Sequence, residues 1–225
     1  MQLFLGPCSW CESRTAALLP VRTNPADSGL CCAIVPGEVV TLRPSATITR
    51  TYRYARRMKT LYLLRHAKSS WDDPSVPDHD RPLNDRGRRA AAIMAEQISK
   101  RGIRPEVVLC STARRAVETL ESLGDMFSES ADIHIERGLY LAGLGDLTER
   151  VNELSAHVGS AMLVGHNPGM HEFGIALAGE GARLDSLLRK MPAGALAVLE
   201  FDQEGWDLKP VTGRLQDLVL PRDFE

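Results

Sequence analysis

Three short apolar runs in this chain each end in residues that handle anions. Thr60-Leu61-Tyr62-Leu63-Leu64 leads into Arg65-His66, Val107-Val108-Leu109-Cys110 into Ser111-Thr112-Ala113-Arg114-Arg115, and Ala161-Met162-Leu163-Val164 into Gly165-His166-Asn167-Pro168. Arginine offers a planar fork of N–H donors that matches phosphate. A neutral histidine offers a ring-nitrogen lone pair that can attack phosphorus. Two arginines and two histidines brought together would suit a phosphoryl group, whose transition state spreads negative charge over its non-bridging oxygens. At this level the second arginine is either Arg114 or Arg115.

The elements around these runs say whether they can meet. In open α/β sheets ligands bind beyond the carboxyl ends of the strands, where these residues fall. Asn84 can cap a helix over 84–101 that Gly102 closes, with Ala90, Ile93, Met94, Gln97 and Ile98 near helical spacing. Ser111 or Thr112 can cap a second helix containing Ala116, Thr119, Leu120 and Leu123. A brief strand is expected at 133–135, a helix at 144–157 and another at 169–178, with Asn167 capping the last. The stretch 195–201 followed by 207–209 reads as a hairpin at the sheet's edge, turning around Gln203-Glu204-Gly205. Alternating strands and helices imply an α/β fold, a three-layer sandwich around a mostly parallel central sheet.

Leu64-Arg65-His66-Ala67, Ser111-x-x-x-Arg115-Ala116-x-x-Thr119 and Val164-Gly165-His166-Asn167-Pro168 together resemble the motifs of the histidine phosphatase superfamily. Ala67 stands where the usual first motif, Arg-His-Gly, has glycine. With Lys68-Ser69-Ser70-Trp71 and His79-Asp80-Arg81-Pro82-Leu83, it is similar instead to the short SixA-type phosphohistidine phosphatase branch. The resemblance runs from Met58 to about Pro221. It implies that His66 is the nucleophile, passing through a phosphohistidine intermediate that water hydrolyses, and that Arg65, Arg115 and His166 hold the phosphoryl oxygens. Arg115 fits the motif, so Arg114 is expected to be a surface charge. A protonated His166 beside a neutral His66 would require two imidazoles in opposite states, which modest shifts from a pKa of about 6.5 allow.

Other chemistries find less support. No H-x-x-x-H pair or binuclear carboxylate pattern is present, and Arg65 and Arg115 would fill a cation's role, so no metal or other cofactor is expected. Residues 165–169 match neither nucleotide-loop pattern. Many superfamily members use a carboxyl group to protonate a leaving alcohol, but its usual motif is missing here. Asp72, Asp73, Asp80 and Glu136 are the available carboxylates, each as easily a solvated loop charge. An acid-poor pocket would favour a phosphohistidine substrate, because its imidazole leaves with less protonic help than an alcohol. His79, in a Pro- and Asp-rich loop, could line the mouth of the pocket but is expected at the surface, and His134, His157 and His171 carry no motif.

The chain has 225 residues, 44% hydrophobic, enough for one core, and a formal charge of −2 that argues against bulk electrostatic binding of nucleic acid. Its longest apolar runs fall far below the roughly 20 residues of a membrane span, so a soluble protein is expected. Residues 1–57 differ in kind. They hold seven of the 27 bases and three of the 29 acids, leaving 20 bases against 26 acids in 58–225. They also hold Cys8, Cys11, Cys31 and Cys32, whose spacing without a nearby His does not fit a zinc knuckle. These residues are expected to be a disordered extension or translated upstream sequence preceding a phosphatase domain at 58–225 that starts at Met58, with organelle import the lesser alternative to a cytoplasmic location. Cys110, ending an apolar run, is expected to be buried. The expected partner is a phosphohistidine-containing signalling or phosphotransfer protein, or a small phosphorylated substrate. The competing functions are a phosphatase of small phosphomonoesters and a non-catalytic phosphoryl-binding module.

Overall fold

The computed structural model describes residues 31–35, 38–42, 58–124, 127 and 131–225. The chain divides into two units, Met1–Ala55 and Arg56–Glu225. In the first, β1 (Cys31–Val35) and β2 (Glu38–Leu42) pair antiparallel, Cys31 opposite Leu42 and Val35 opposite Glu38. The remainder of the expected extension, including Cys8 and Cys11, lies outside the described residues.

The second unit follows the order β3 (Lys59–Arg65), α1 (Asp85–Lys100), β4 (Val107–Ser111), α2 (Arg114–Glu121), β5 (Asp132–Glu136), α3 (Leu144–Asn152), β6 (Ser160–Gly165), α4 (Gly169–Leu177), β7 (Ala178–Glu180), α5 (Leu184–Arg189), β8 (Leu196–Phe201) and β9 (Gly213–Val219). Its seven strands form one sheet in the order β5-β4-β6-β3-β8-β9-β7. The first four of these strands are mutually parallel, and β8 runs antiparallel to both β3 and β9.

Alternation within the apolar runs explains the three layers. Leu61 and Leu63, Val107 and Leu109, and Ala161 and Leu163 point to one face and join a core with Leu147 and Val151 of α3, Met170 and Phe173 of α4 and Leu187 of α5. Leu64, Val108, Cys110, Met162 and Val164 point to the other face, where Met94 and Ile98 of α1 and Ala116 and Leu120 of α2 cover them. Strands covered on both faces must be apolar at successive positions, which is why these runs read as continuous. Each fully buried Leu or Val contributes about 1.5–3 kcal/mol of transfer free energy. Cys110 is fully buried, and burial pushes its thiol up to about 12, so it behaves as a hydrophobe.

Asn84 caps α1 as expected, its side chain accepting from the Gly87 N–H at 2.8 Å, and Gly102 follows the helix with a φ of +63°. Gly87 also sets how closely the helix can approach its neighbour. A Cβ there would lie 2.0 Å from the Lys68 carbonyl oxygen, so only glycine lets α1 press against the main chain just beyond His66.

Several local expectations are corrected. The hairpin is β8 with β9, so its second strand is Gly213–Val219 and 207–209 is not a strand; the edge beside it is β7. Trp206 and Leu208 are buried against the core instead of pairing. Neither Ser111 nor Thr112 caps α2, whose N-cap is Ala113. Asn167 does not cap α4, whose N-cap is Pro168; its amide donates to the Met191 carbonyl at 3.0 Å. The helix expected over 144–157 ends at Asn152, and that expected over 169–178 gives way at Ala178 to β7. No helix among the described residues is long and apolar enough to cross a membrane.

Candidate active site

Parallel pairing of β3 with β6 places Arg65 opposite Gly165, and the His66 N–H donates to the Gly165 carbonyl at 3.0 Å. The histidines that follow the two strands therefore emerge side by side. Their ring centroids are 4.9 Å apart, with the planes tilted by 53°. From the neighbouring β4, Ser111 reaches the His166 ring, and α2 delivers Arg115 in its first turn. The structure thus brings together His66, Arg115 and His166, while Arg65 lines the same cavity of about 260 Å³ as His66 and Arg115.

A hydrogen bond assigns the His66 tautomer. His66 Nδ1 lies 2.7 Å from the Ala67 carbonyl, which can only accept, so this nitrogen carries the proton. Nε2 is left with its lone pair, which accepts from Arg115 Nε at 3.3 Å. The Ala67 N–H is in turn held by Thr119 Oγ1 at 3.0 Å, and the Thr119 hydroxyl donates to the Arg115 carbonyl at 2.6 Å, tying nucleophile loop and arginine helix together. On the other ring, Ser111 Oγ accepts the Ala113 N–H at 3.2 Å and lies 2.7 Å from His166 Nε2. A serine hydroxyl can donate to that nitrogen or accept from it, so this contact orients the ring without fixing its tautomer. His166 Nδ1 and Arg65 Nε are buried and have no partner among the described residues, although Arg65 Nη1 donates to the Met191 carbonyl at 2.8 Å. The Arg65 Nε–H, and His166 Nδ1 when it carries a proton, are suited to an oxyanion.

Burial, then the Arg115 and Arg65 guanidiniums, depresses His66 to about 4, partly opposed by its bond to Ala67. Burial, then His66 and Arg115, depresses His166 to about 3. The expectation of opposite protonation states is corrected: both rings are neutral near pH 7, because a cationic pocket with little solvent disfavours a further positive charge.

Four residues at the mouth went unassigned in the sequence. Asp78, on a short 3-10 turn, accepts from Arg115 Nη2 at 2.9 Å, from Arg81 Nη1 at 3.0 Å and from the Tyr140 hydroxyl at 2.8 Å. Its backbone carbonyl accepts from Arg115 Nη1. Partial burial raises the Asp78 carboxyl, but the Tyr140 and Arg115 hydrogen bonds and the nearby guanidiniums outweigh it, and the net shift is downward. The pocket therefore contains a carboxylate, one held ionised. Arg81 is clamped by the Ser70 carbonyl and Ser69 Oγ, and its guanidinium lies 3.2 Å from the ring centre of Trp71, itself 76% exposed. The available signal for Asp78 was its place between Pro77 and Arg81, but spacing alone did not separate it from the acids around it.

The remaining candidates sort clearly. Arg114 is exposed and paired with Glu118, as expected of a surface charge. Asp72 and Asp73 engage Ser70 and Ser75 within the loop, and Glu136 is gripped by Arg150 at 2.7 Å. His79 is corrected from a surface position to the rim: Nε2 lies 3.0 Å from Thr112 Oγ1, its ring meets Tyr140 edge-on at 4.9 Å, and Asp80 faces Nδ1. His134 pairs with Asp132, and His171 contacts the Leu187 carbonyl. No group of three or more His, Cys, Asp or Glu among the described residues could hold a metal ion.

The sequence model described as histidine phosphatase superfamily (branch 1) matches residues 61–180. A chloroplastic protein of Arabidopsis thaliana of uncharacterised function is 35% identical over 166 residues, covering 68% of this chain and 72% of the relative. Among solved structures, a protein of Nakamurella multipartitia assigned as the phosphohistidine phosphatase SixA is 31% identical with a TM-score of 0.63, over 73% of this chain and 96% of that one. A second so assigned, from Agrobacterium tumefaciens, is 34% identical with a TM-score of 0.62, over 72% and 98% respectively.

Proposed function

This chain belongs to the histidine phosphatase superfamily, and from that premise we propose that it is a metal-independent phosphatase that forms a covalent phosphohistidine on His66 and acts on phosphohistidine in a signalling or phosphotransfer protein. The observation that carries the reading is the oriented His66 ring: Nδ1 is pinned to the Ala67 carbonyl and the Nε2 lone pair faces Arg115. The lone pair attacks phosphorus, the bond from phosphorus to the leaving atom breaks, and water then attacks the phosphorus on His66 to release phosphate. Arg65, Arg115 and His166 Nδ1–H take up the charge on the non-bridging oxygens. A dianionic phosphoryl group beside His166 favours its protonated form, so the positive charge that the bare pocket disfavours would arrive with the substrate.

The state of Asp78 supports a phosphoramidate substrate. A carboxylate kept ionised by Arg115, Arg81 and Tyr140 serves as a charge partner and is poorly suited to protonate a leaving alcohol. A phosphohistidine protonated on its distal nitrogen leaves as neutral imidazole and needs no such acid. The kinship with structures assigned as SixA supports the same substrate class. For location, the chloroplastic relative supports organelle import over the cytoplasm, which a fluorescent fusion of residues 1–57 would test.

Two measurements test the function. Radiolabelled phosphate should be trapped on the wild-type protein and not on His66→Ala, whose turnover should be lost. Equal labelling of both would reject covalent catalysis at His66. Rates on a phosphohistidine protein and on a sugar phosphate, measured side by side, should favour the former, and the reverse order would assign the chain to small phosphomonoesters.

A further inference from the structure

We propose that a basic groove running away from the catalytic pocket docks an acidic protein surface flanking the substrate phosphohistidine. The proposal rests on the phosphohistidine-protein reading above and names the kind of surface that such a substrate would present.

The groove is continuous with the pocket. Lys68 and Ala193 line both the catalytic cavity and a neighbouring cavity of about 270 Å³, whose other walls include Arg86, Lys190, Pro192 and Arg222. Arg86 is shared again with a cavity lined by Arg89 and Ile93, and Lys190 and Arg222 with one lined by Arg189. Arg86 and Arg89 lie three apart on α1 and so share a face of the helix. Lys190 and Pro192 belong to the connection from α5 to β8, and Met191 between them anchors Arg65 through its carbonyl. The same loop therefore serves the pocket and the wall of the groove.

Its charge is out of keeping with the domain. Residues 58–225 carry 20 bases against 26 acids, so a base in this domain has acids to spare as partners. Arg88, Lys100, Arg101, Arg114, Arg150 and Arg183 each find one. Lys68, Arg86, Arg89, Arg189 and Lys190, all exposed, have no carboxylate within 4.0 Å among the described residues. Arg222 has Asp223 at 3.9 Å, and Asp223 is engaged more closely by Arg183. Among the described residues, Glu225 is the one acidic residue lining the groove.

Such clustering of like charge destabilises the surface that bears it and is relieved by an anionic partner. A lone phosphoryl group is already served by Arg65, Arg115 and His166 and does not need cations spread along a second cavity. Carboxylates on either side of a phosphohistidine would occupy them, which selects a protein over a small phosphomonoester.

A fluorescent peptide rich in Asp and Glu, carrying unphosphorylated histidine, reads the groove alone by anisotropy. It should bind the full-length wild-type protein in a salt-sensitive way and bind Arg86→Ala/Arg89→Ala/Lys190→Ala at least tenfold more weakly. These three residues lie outside the catalytic cavity, so turnover of phosphoimidazole should be unchanged in the variant, which also controls for folding. With phosphohistidine peptides, the wild type should prefer acidic over neutral flanks by tenfold or more in kcat/KM, and the variant should lose that preference. Unchanged peptide affinity in the variant, equal rates on the two phosphopeptides, or tighter binding of single-stranded RNA of the same charge would each overturn the proposal. Binding retained by a wild type that cannot hydrolyse phosphoimidazole would instead reject the phosphohistidine reading and leave an acidic-surface receptor.

Discussion

The strand-end residues and the loop residues around them are held in place by different means. Arg65, His66, Ser111 and His166 sit on or beside parallel strands whose register is fixed by apolar side chains on both faces. A shift of one residue there would turn two cores inside out, so the spacing of the two rings follows from the packing of the whole sheet. Asp78, His79, Arg81 and Tyr140 lie on loops and short turns, fixed to one another by ion pairs and edge contacts, with Arg81 buried and the other three nearer solvent. Side-chain pairing in that setting contributes modestly and is screened by salt. The strand ends are thus built for geometry that must not move, and the rim for charge that tunes and positions it.

Substitutions and pH separate the two groups. Arg65→Ala, Arg115→Ala or His166→Ala should each lower kcat on the order of 10²-fold or more, as loss of an oxyanion donor does. An effect confined to KM would mean that these residues only bind. Protonation of His66 removes the attacking lone pair, so with its pKa lowered to about 4 the acid limb of kcat/KM should fall tenfold per unit below that pH. A limb near 6.5, after correction for substrate ionisation, would show an unburied imidazole. The same depression means that the unfolded chain takes up protons the folded chain refuses, so stability is lost as pH falls from about 6.5 toward 4 for His66 and toward 3 for His166.

Rim changes should be smaller. Asp78→Asn frees Arg115 of its charge partner and should reduce kcat/KM about tenfold, equivalent to about 1.4 kcal/mol, while keeping the acid limb. A loss of 10²-fold or more restricted to alcohol leaving groups would instead make Asp78 the proton donor. Tyr140→Phe removes one of several hydrogen bonds to Asp78 and should cost about two- to threefold, consistent with a net bond worth of about 0.5–1.5 kcal/mol. A larger effect from Tyr140 than from Asp78 would reverse the order expected of the rim.

Features carried by local pattern were legible in the chain alone. The two-faced apolar runs marked the parallel strands, Asn84 and Gly102 marked the ends of α1, and the residues just past the runs supplied the pocket's arginines and histidines. These can be read because burial on both sheet faces and the capping of a helix act through neighbouring residues. The β8–β9 pairing was misplaced because Trp206-Asp207-Leu208 carries a strand-like pattern, yet its apolar side chains are buried against the core without joining the ladder. The tertiary structure alone decided that Asp78, 37 positions before Arg115, pairs with it, and that Tyr140 closes on both. It alone decided that both imidazoles are neutral, since a pKa answers to desolvation and to charges brought near by folding, neither of which spacing along the chain records.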